Sequence, residues 1–324
     1  MSKTGFLKYG AFLFLVSFAF IAFASVPSRA ETKGKIIIFN AGSLSIPLKE
    51  MSEAFNKKYP NVEVLREAAG SRICARKITD LRKPCDIMAS ADYAVIDTLL
   101  IPKFASWDIH FVTNEMGIMY RPDSKFAKEI NSGNWYKILL KKGVQYGHSD
   151  PNSDPCGYRT MLTWQLAEKY YKAPGLYKEL ITNCPAQNIR PKETDLIGLL
   201  EAGQLDYIFI YKSVCLQHHM PYVSLPDAIN LGSPAEADFY KQASLKISGK
   251  KPGTTLEVKG APMVYGLTIP QNAPDRELAV KFLAFMLGPE GRAIMEKNGQ
   301  KTIYPAIVSG DASTLPVELK PLVK

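Results

Sequence analysis

Residues 35–71 read KIIIFNAGSLSIPLKEMSEAFNKKYPNVEVLREAAGS and place a strand pattern, a helix pattern and a second strand pattern in succession. An apolar run at 36–39 enters a Gly-Ser turn, and Leu48, Met51 and Phe55 then recur at helical spacing. The second strand again ends at a Gly-Ser pair. A helix over 71–81 and a strand over 85–92 follow. This β-α-β-α-β order predicts a parallel sheet covered by helices.

The rest of the chain predicts a second α/β unit inserted into the first. Hydrophobic patterning predicts the following strands and helices: strands 111–122, 144–150, 205–213 and 263–270, and helices 135–142, 160–172, 193–204, 276–287 and 291–300. The strands 111–122 and 263–270 are the expected crossings between the two units. We therefore predict an α/β protein with a discontinuous first lobe, residues 31–112 and 267–324, and an inserted second lobe, residues 113–266.

The first thirty residues have the three parts of a secretory signal peptide. Lys3 and Lys8 precede the apolar run AFLFLVSFAFIAFAS at 11–25, and Ser28-Arg29-Ala30 supplies small residues for cleavage. The apolar run is shorter than the roughly 20 residues of a membrane-spanning helix. The pattern predicts cleavage near Ala30 and a soluble mature protein exported to the periplasm.

Composition excludes several classes of protein. The 324 residues are 46% hydrophobic and 22% charged, with 22 Gly and 22 Pro, which excludes a disordered chain, a collagen and a coiled coil. The net charge is +9, from 40 Lys+Arg against 31 Asp+Glu. These basic residues are scattered and form no nucleic-acid-binding motif. We expect a solvated basic surface and no nucleic-acid partner.

Five cysteines lie in the region that would be exported, where disulfides can persist. An odd number leaves at least one thiol free. Their spacing fits no zinc site. Cys156 and Cys184 both lie in loop-like segments next to proline, so Cys156–Cys184 is the preferred bridge.

Polar residues follow the predicted strands where ligands of open α/β sheets bind. Gly42-Ser43 and Gly70-Ser71 each stand between a strand and a helix, where free N–H groups favour an anion. Either serine could instead simply cap its helix. Asp154 could likewise be a helix cap with Pro155 in the first turn. Tyr211 ends an apolar strand, where it could instead be a buried tyrosine with a satisfied hydroxyl.

Histidines and one cysteine leave an enzymatic alternative open. His148, His218 and His219 show no HExxH or Cys/His spacing, so we do not expect them to bind a metal. A thiol hydrolase using Cys156 with His148 is conceivable, although no nucleophile-elbow motif accompanies it.

Six segments of the chain resemble the tungstate/molybdate-binding proteins of ABC importers. The matching segments are FNAGSL (39–44), EAAGSR (67–72), ASADY (89–93), SDPNSDPCGYR (149–159), KETDLIGLLEAGQLDYIFIYKSV (192–214) and YGLTIP (265–270). The resemblance covers about residues 35–310. It implies a two-lobed periplasmic-binding-protein fold of type II with an oxyanion in the cleft. It also implies a monomer that delivers its ligand to a membrane permease, with no cofactor and no catalysis.

Carried over position by position, the resemblance implies a set of ligand contacts: Gly42, Ser43, Ser71, Asp154, Pro155, Cys156, Glu193 and Tyr211. Buried carboxylates repel an anion. Asp154 and Glu193 therefore make sense if they bond the tungsten or molybdenum atom itself, since these metals expand from four to six oxygen ligands and sulfur does not. Another small oxyanion, sulfate or phosphate, is the alternative ligand. The ligand set does not distinguish tungstate from molybdate.

Overall fold

The predicted β-α-β-α-β succession is confirmed in the computed structural model, which describes residues 32–324. Strand β1 (Lys33–Asn40) pairs in parallel with β2 (Asn61–Ala68) on one side and with β3 (Ile87–Ser90) on the other. Helix α1 (Ser45–Lys58) joins the first two strands, and its apolar stripe, which includes Met51 and Phe55, is buried. The helical spacing in the sequence therefore marked the face that packs into the core.

The remaining elements follow in chain order. The strands are β4 (Trp107–Thr113), β5 (Met116–Tyr120), β6 (Tyr146–Ser149), β7 (Ile189–Arg190), β8 (Tyr207–Tyr211), β9 (Tyr222–Ser224), β10 (Ser244–Ser248), β11 (Thr255–Lys259), β12 (Val264–Thr268) and β13 (Lys301–Gly310). The helices are α2 (Ser71–Thr79), α3 (Tyr93–Leu99), α4 (Trp135–Leu139), α5 (Pro155–Tyr170), α6 (Leu176–Thr182), α7 (Asp195–Glu201), α8 (Lys212–Gln217), α9 (Asp227–Asn230), α10 (Ala237–Tyr240), α11 (Arg276–Leu287) and α12 (Pro289–Lys297).

A six-stranded sheet, here called the first sheet, has the order β13-β4-β12-β3-β1-β2. Its β1, β2 and β3 are parallel, as predicted. Strand β12 runs antiparallel to β3 and β4, and β13 runs antiparallel to β4. The first sheet is therefore mixed, because the chain returns to it late from the opposite direction.

A five-stranded sheet, here called the second sheet, has the order β7-β6-β8-β5-β9. Strand β6 is parallel to β7 and β8, whereas β5 is antiparallel to β8 and β9. Helix α5 packs on this sheet, and its Trp164 stacks edge-on against Phe209 of β8 at 5.3 Å. Strands β10 and β11 form a separate antiparallel pair.

The prediction of one strand over 111–122 is wrong. Strand β4 ends at Thr113 in the first sheet, and β5 begins at Met116 in the second. The Asn114 side chain occupies the break, where its oxygen accepts from the N–H of Glu115 at 3.0 Å. Apolar residues flank the break on both sides, so the hydrophobic pattern does not reveal that the chain changes sheets.

The sequence pattern missed several elements, among them α3, the β10–β11 pair and β13. In β13 the register shifts between Thr302 and Ile307, and Pro305 lies inside the strand. Proline is depleted in strands and lowers the strand signal. Most of β13 is also not buried, which removes the alternating apolar pattern.

The described residues form one compact unit in which all three tryptophans are buried. Strands up to residue 113 and from residue 264 onward build the first sheet, and strands between 116 and 224 build the second. The lobe bounds at 112/113 and 266/267 stay predictions. Within residues 32–324, no helix has the length and apolar character needed to cross a bilayer. The predicted signal peptide, residues 1–30, and its cleavage near Ala30 lie outside the described residues.

Candidate functional site

The first Gly-Ser turn follows β1 and contacts Glu193, a residue that lies far away in the sequence. Residues 42–44 form a short 3-10 turn that leads into α1. The backbone N–H of Ser43 donates to Glu193 Oε1 at 2.6 Å. A Cβ atom on Gly42 would lie 2.7 Å and 2.8 Å from the two Glu193 carboxylate oxygens. Position 42 therefore needs glycine, because any side chain would displace the carboxylate.

The second Gly-Ser turn follows β2 and faces the loop before α5. A Cβ atom on Gly70 would lie 2.4 Å from the carbonyl oxygen of Ser153 and 3.0 Å from Asp154 Cβ. The Ser71 hydroxyl is buried and accepts from the N–H of Ala91 at 2.9 Å, which ties the loop after β3 to the start of α2. Its own proton remains able to donate to a ligand.

Helix α5 begins at Pro155, five residues earlier than the predicted start at 160. Asp154 is its N-cap and accepts from the N–H of Cys156 at 3.1 Å, and Pro155 occupies the first turn. The second Asp154 oxygen accepts from the N–H of Glu193 at 2.8 Å. Asp154 is thus a helix cap, as its alternative reading held, and at the same time a direct neighbour of Glu193.

Glu193 lies two residues before α7 and is completely buried. Its Oε1 accepts from the N–H of Ser43, but its Oε2 accepts no hydrogen bond from the described residues. Burial and the nearby Asp154 charge raise the pKa of Glu193 well above its ordinary value. Burial also raises the pKa of Asp154, although the hydrogen bonds that it receives oppose the rise. The raised pKa favours the protonated form of Glu193, which can share its proton with the Asp154 carboxylate.

Tyr211 ends β8 and is buried, with its hydroxyl 3.0 Å from Arg159 Nη1. The same Arg159 atom donates to the carbonyl of Ala91 at 2.6 Å, and Arg159 Nη2 lies 3.3 Å from Asp92 Oδ2. Burial lowers the pKa of Arg159, but Tyr211 and Asp92 outweigh burial and hold it above its ordinary value. Arg159 therefore brings a fixed positive charge to the site.

A network of hydrogen bonds between hydroxyl and amide groups holds Ser43 in place. The Ser43 hydroxyl lies 2.9 Å from the Tyr265 hydroxyl, which accepts from Asn114 Nδ2 at 3.0 Å. Asn114 Nδ2 also donates to the Ser213 hydroxyl at 2.8 Å, and Gln300 Nε2 donates to the Ser43 carbonyl at 3.2 Å. The network joins the first turn and β12 of the first sheet to helix α8, which follows β8, so it fixes the orientation of the first turn relative to the end of β8.

Sequence reasoning did not name Arg159, Tyr265 or Asn114 as site residues. Arg159 ends the DPCGYR segment and Tyr265 begins YGLTIP, both of which carry the resemblance, so a signal for them was present. Asn114 was hidden inside the strand predicted over 111–122. The residues that the structure brings together directly are Ser43, Glu193, Asp154 and Cys156, with Gly42 and Gly70 against them.

The preferred Cys156–Cys184 bridge is wrong, because all five cysteines are free and buried. The Cys156 thiol donates to the carbonyl of Phe209 at 3.7 Å, and the Cys184 thiol donates to the carbonyl of Tyr146 at 3.5 Å. Each thiol therefore has a hydrogen-bond partner in a strand of the second sheet, and the two strands are different. The loop-like segments around Cys156 and Cys184 suggested that the two thiols lie close together, but the packing does not join them.

The environment of Cys156 is unsuited to nucleophilic chemistry. Burial, followed by the charges of Asp154 and Glu193, raises its pKa well above the ordinary value, which keeps the thiol protonated. His148 Nδ1 donates to the carbonyl of Ser149 at 2.7 Å, and burial lowers the pKa of His148. Neither side chain activates the other, which argues against the Cys156/His148 hydrolase.

The geometry suits a small ligand held between the two sheets. Backbone N–H groups, hydroxyls and the Arg159 cation supply attraction for an anion.

Comparison with known proteins identifies the family of the chain. The family model described as bacterial extracellular solute-binding protein matches residues 36–301. An uncharacterized solute-binding protein of Petrotoga mobilis is 56% identical, covering 92% of this chain and 91% of the relative. The molybdate/tungstate-binding protein WtpA of Pyrococcus abyssi is 42% identical, covering 91% of each chain.

A solved structure supports the fold. The periplasmic molybdate-binding protein of Azotobacter vinelandii superimposes with a TM-score of 0.60, covering 82% of this chain and 98% of that one. The identity is 17%, so the likeness concerns the fold alone. It agrees with the predicted periplasmic-binding-protein fold of type II.

Proposed function

The chain belongs to the bacterial extracellular solute-binding proteins, and from that premise we propose that it captures tungstate or molybdate for an ABC importer. The relatives named for molybdate and tungstate binding support this class of ligand. The oxyanion is the transported cargo and not a cofactor. Proposed ligand contacts are those implied by the resemblance, together with one addition from the structure: Gly42, Ser43, Ser71, Asp154, Pro155, Cys156, Glu193 and Tyr211, with Arg159 added.

The single observation that carries the proposal is the buried pairing of Glu193 with Asp154, in which Glu193 Oε2 accepts no hydrogen bond. A buried carboxylate oxygen that accepts no hydrogen bond is costly, since its desolvation is not compensated. Ser43 holds the other oxygen of the same carboxylate, and Asp154 lies directly behind it. We propose that Oε2 bonds the tungsten or molybdenum atom and that Asp154 supplies the second carboxylate.

Sulfate is a poor fit to this arrangement. Its sulfur atom stays four-coordinate, so two carboxylates beside it would only repel the dianion. Tungsten and molybdenum accept two more oxygen ligands, and six-coordinate binding turns the repelling pair into bonds. The hydroxyls of Ser43, Ser71 and Tyr211 and the backbone N–H groups would hold the oxo groups.

The delivery pathway belongs to the same proposal. The two lobes, residues 31–112 with 267–324 and residues 113–266, would close about the cleft by a hinge at the two crossings between the sheets. Ligand that bonds both lobes favours the closed state. The protein would act as a monomer in the periplasm, after removal of residues 1–30, and would dock on the membrane permease of the importer.

Calorimetric titration tests the proposal with tungstate, molybdate and sulfate. The variant Glu193→Gln keeps an oxygen for Ser43 but removes the anionic ligand. We expect tight binding of the first two oxyanions and none of sulfate, with a loss of more than about a hundredfold, or about 2.7 kcal/mol, in the variant.

The matched control is Asp195→Asn, since Asp195 is exposed and pairs with Lys192 at 3.0 Å. It should bind like the unmodified protein. Unchanged tungstate affinity in Glu193→Gln would refute the coordination by Glu193. Equal binding of sulfate would refute the ligand class, and an absence of heat from all three oxyanions would refute oxyanion capture.

A further inference from the structure

Three potential metal ligands lie together on the first sheet, apart from the proposed oxyanion site. One ligand atom from each of Asp97, Asp108 and His110 lies within 4.8 Å of the other two. The proposed function does not use any of them.

The secondary structure explains the convergence. Asp108 and His110 are two residues apart on β4 and therefore point to the same face of the sheet. Asp97 lies on α3, which packs against β4. Ser309 lies on β13 directly opposite Asp108, with its hydroxyl 3.3 Å from both Asp97 Oδ1 and His110 Nε2. Three separate elements thus deliver side chains to one point.

Asp108 supplies an independent sign that a ligand belongs at this point. It is completely buried, and its carboxylate oxygens make no hydrogen bond of good geometry in the described chain, with only the backbone N–H groups of Leu267 and Ile109 close to it. The nearest cationic candidate, His110 Nε2, is 3.7 Å away, beyond hydrogen-bond distance. A buried carboxylate without compensation is strongly unfavourable, so buried charges are normally paired or coordinate metals.

The neighbouring strand makes room for this carboxylate. A Cβ atom on Gly266 of β12 would lie 2.5 Å and 2.6 Å from the two Asp108 oxygens. The space beside Asp108 therefore exists only because residue 266 is glycine. Fold stability alone does not explain why the Asp108 carboxylate is buried in a space that requires glycine at position 266.

We infer that Asp97, Asp108 and His110 bind one zinc ion. Two carboxylates and an imidazole are ordinary zinc ligands, and tetrahedral bonds of about 2.0 Å separate neighbouring ligand atoms by about 3.3 Å. The measured 3.7 Å between Asp108 and His110 is near that separation. Calcium prefers six to eight oxygens, and magnesium needs near-ideal octahedral oxygen geometry, so neither suits this set.

The bound zinc would join β4 to α3 and hold them beside β13. His110 is only 13% exposed and Asp97 is partly exposed, so this side gives the ion its route to the site. Three protein ligands would leave the fourth tetrahedral position to water, and the ion would cross-link the elements that carry them. This site is independent of the oxyanion, whose proposed ligands Asp154 and Glu193 belong to other elements.

The test measures zinc in protein purified without a histidine tag. Metal content after incubation with zinc chloride and desalting gives the stoichiometry, and titration against a chromogenic chelator gives the affinity. We expect one zinc ion per chain. Asp108→Asn and His110→Asn should each weaken zinc binding by more than about tenfold, and zinc should no longer raise their unfolding midpoint.

Two control variants carry the same chemical changes elsewhere. His219 is exposed with φ of 52°, a conformation that asparagine tolerates, so His219→Asn is the control for His110→Asn. Asp80→Asn changes an exposed acid and is the control for Asp108→Asn. Both controls should keep the zinc. Failure of the unmodified protein to bind one equivalent, or unchanged affinity in Asp108→Asn or His110→Asn, would overturn the inference. His110→Asn alone decides the matter should Asp108→Asn not fold.

Discussion

Ser43 and Glu193 are 150 positions apart in the sequence and are joined by a hydrogen bond in the structure, next to Gly42. The turn at Gly42 was predicted because ligands bind where the strands of open α/β sheets end. Glu193 was predicted from the family resemblance. Neither argument could reveal that the Ser43 N–H donates to one carboxylate oxygen while the other accepts no hydrogen bond. That asymmetry depends on how the two sheets face each other, which local patterns do not encode.

The close approach at Gly42 leads to a direct prediction. Gly42→Ala would place a methyl group 2.7 Å from Glu193 Oε1, so the carboxylate must move or the two sides must separate. We expect tungstate affinity to fall by more than about tenfold, or about 1.4 kcal/mol, in calorimetric titration.

Gly198→Ala is the control, since a Cβ atom there meets nothing within 4 Å. Alanine in a helix is also favoured over glycine by about 1 kcal/mol. This control should bind tungstate normally and unfold at a slightly higher temperature. Unaltered affinity in Gly42→Ala would contradict the proposed place of Glu193 in the site.

His148 gives a prediction for stability against pH. Burial lowers its pKa below the ordinary 6.5, so the folded protein keeps His148 neutral where the unfolded chain takes up a proton. Its contribution to stability is therefore intact above about pH 6.5 and is lost progressively as the pH falls below that value. The slope is at most about 1.4 kcal/mol per pH unit.

Urea unfolding of the wild type and His148→Gln at pH 7.5, 6.5 and 5.5 checks this sign. Glutamine keeps a donor for the Ser149 carbonyl but does not titrate. The wild type should lose more free energy of unfolding than the variant between pH 6.5 and 5.5. Parallel profiles for the two proteins would refute the assignment of this titration to His148.

At the scale of elements, helices and strands with an apolar stripe were predictable and the irregular ones were not. Helix α11 has the bounds that periodicity predicted, residues 276–287. Helix α5 starts five residues early, because an Asp-Pro pair was read as part of a loop although it also fits a helix start. The β10–β11 pair alternates polar and apolar residues, with Leu245 and Ile247 opposite Val258 and Leu256, so the sequence carried a strand signal that the prediction missed.

The β10–β11 pair is contacted by Arg72 of helix α2, the helix that follows strand β2 of the first sheet. Arg72 Nε donates to the carbonyl of Asn152 at 3.0 Å, and its Nη2 donates to the carbonyl of Ser248. Arg72 is almost completely buried between these partners. In the proposed hinge motion, these two charged hydrogen bonds would be available only in the closed state.

Arg72→Met should therefore loosen the closed state. Hydrogen bonds of a charged group contribute about 1.5–3 kcal/mol each, so we expect tungstate to dissociate at least about tenfold faster in stopped-flow experiments. Arg82→Met, which alters an exposed arginine stacked on Phe104, should leave the dissociation rate unchanged. Equal rates in the two variants would mean that Arg72 has no part in closure.

At the scale of the whole molecule, the division into two lobes stays a prediction, but an α/β fold was predictable from the alternation of strands and helices. The mixed direction of the first sheet was not, since sequence patterns do not say which neighbour a late strand such as β12 will pair with. The Cys156–Cys184 bridge failed for a related reason. Spacing and flanking residues are local, whereas both thiols are satisfied by distant strands.

X-ray absorption at the tungsten L3 edge of the tungstate-loaded protein tests the central claim most directly. The number of oxygen neighbours reports whether Asp154 and Glu193 bond the metal or merely lie near it. The account predicts six oxygen neighbours in the unmodified protein and fewer in Glu193→Gln. Four neighbours in the unmodified protein, as in free tungstate, would contradict it.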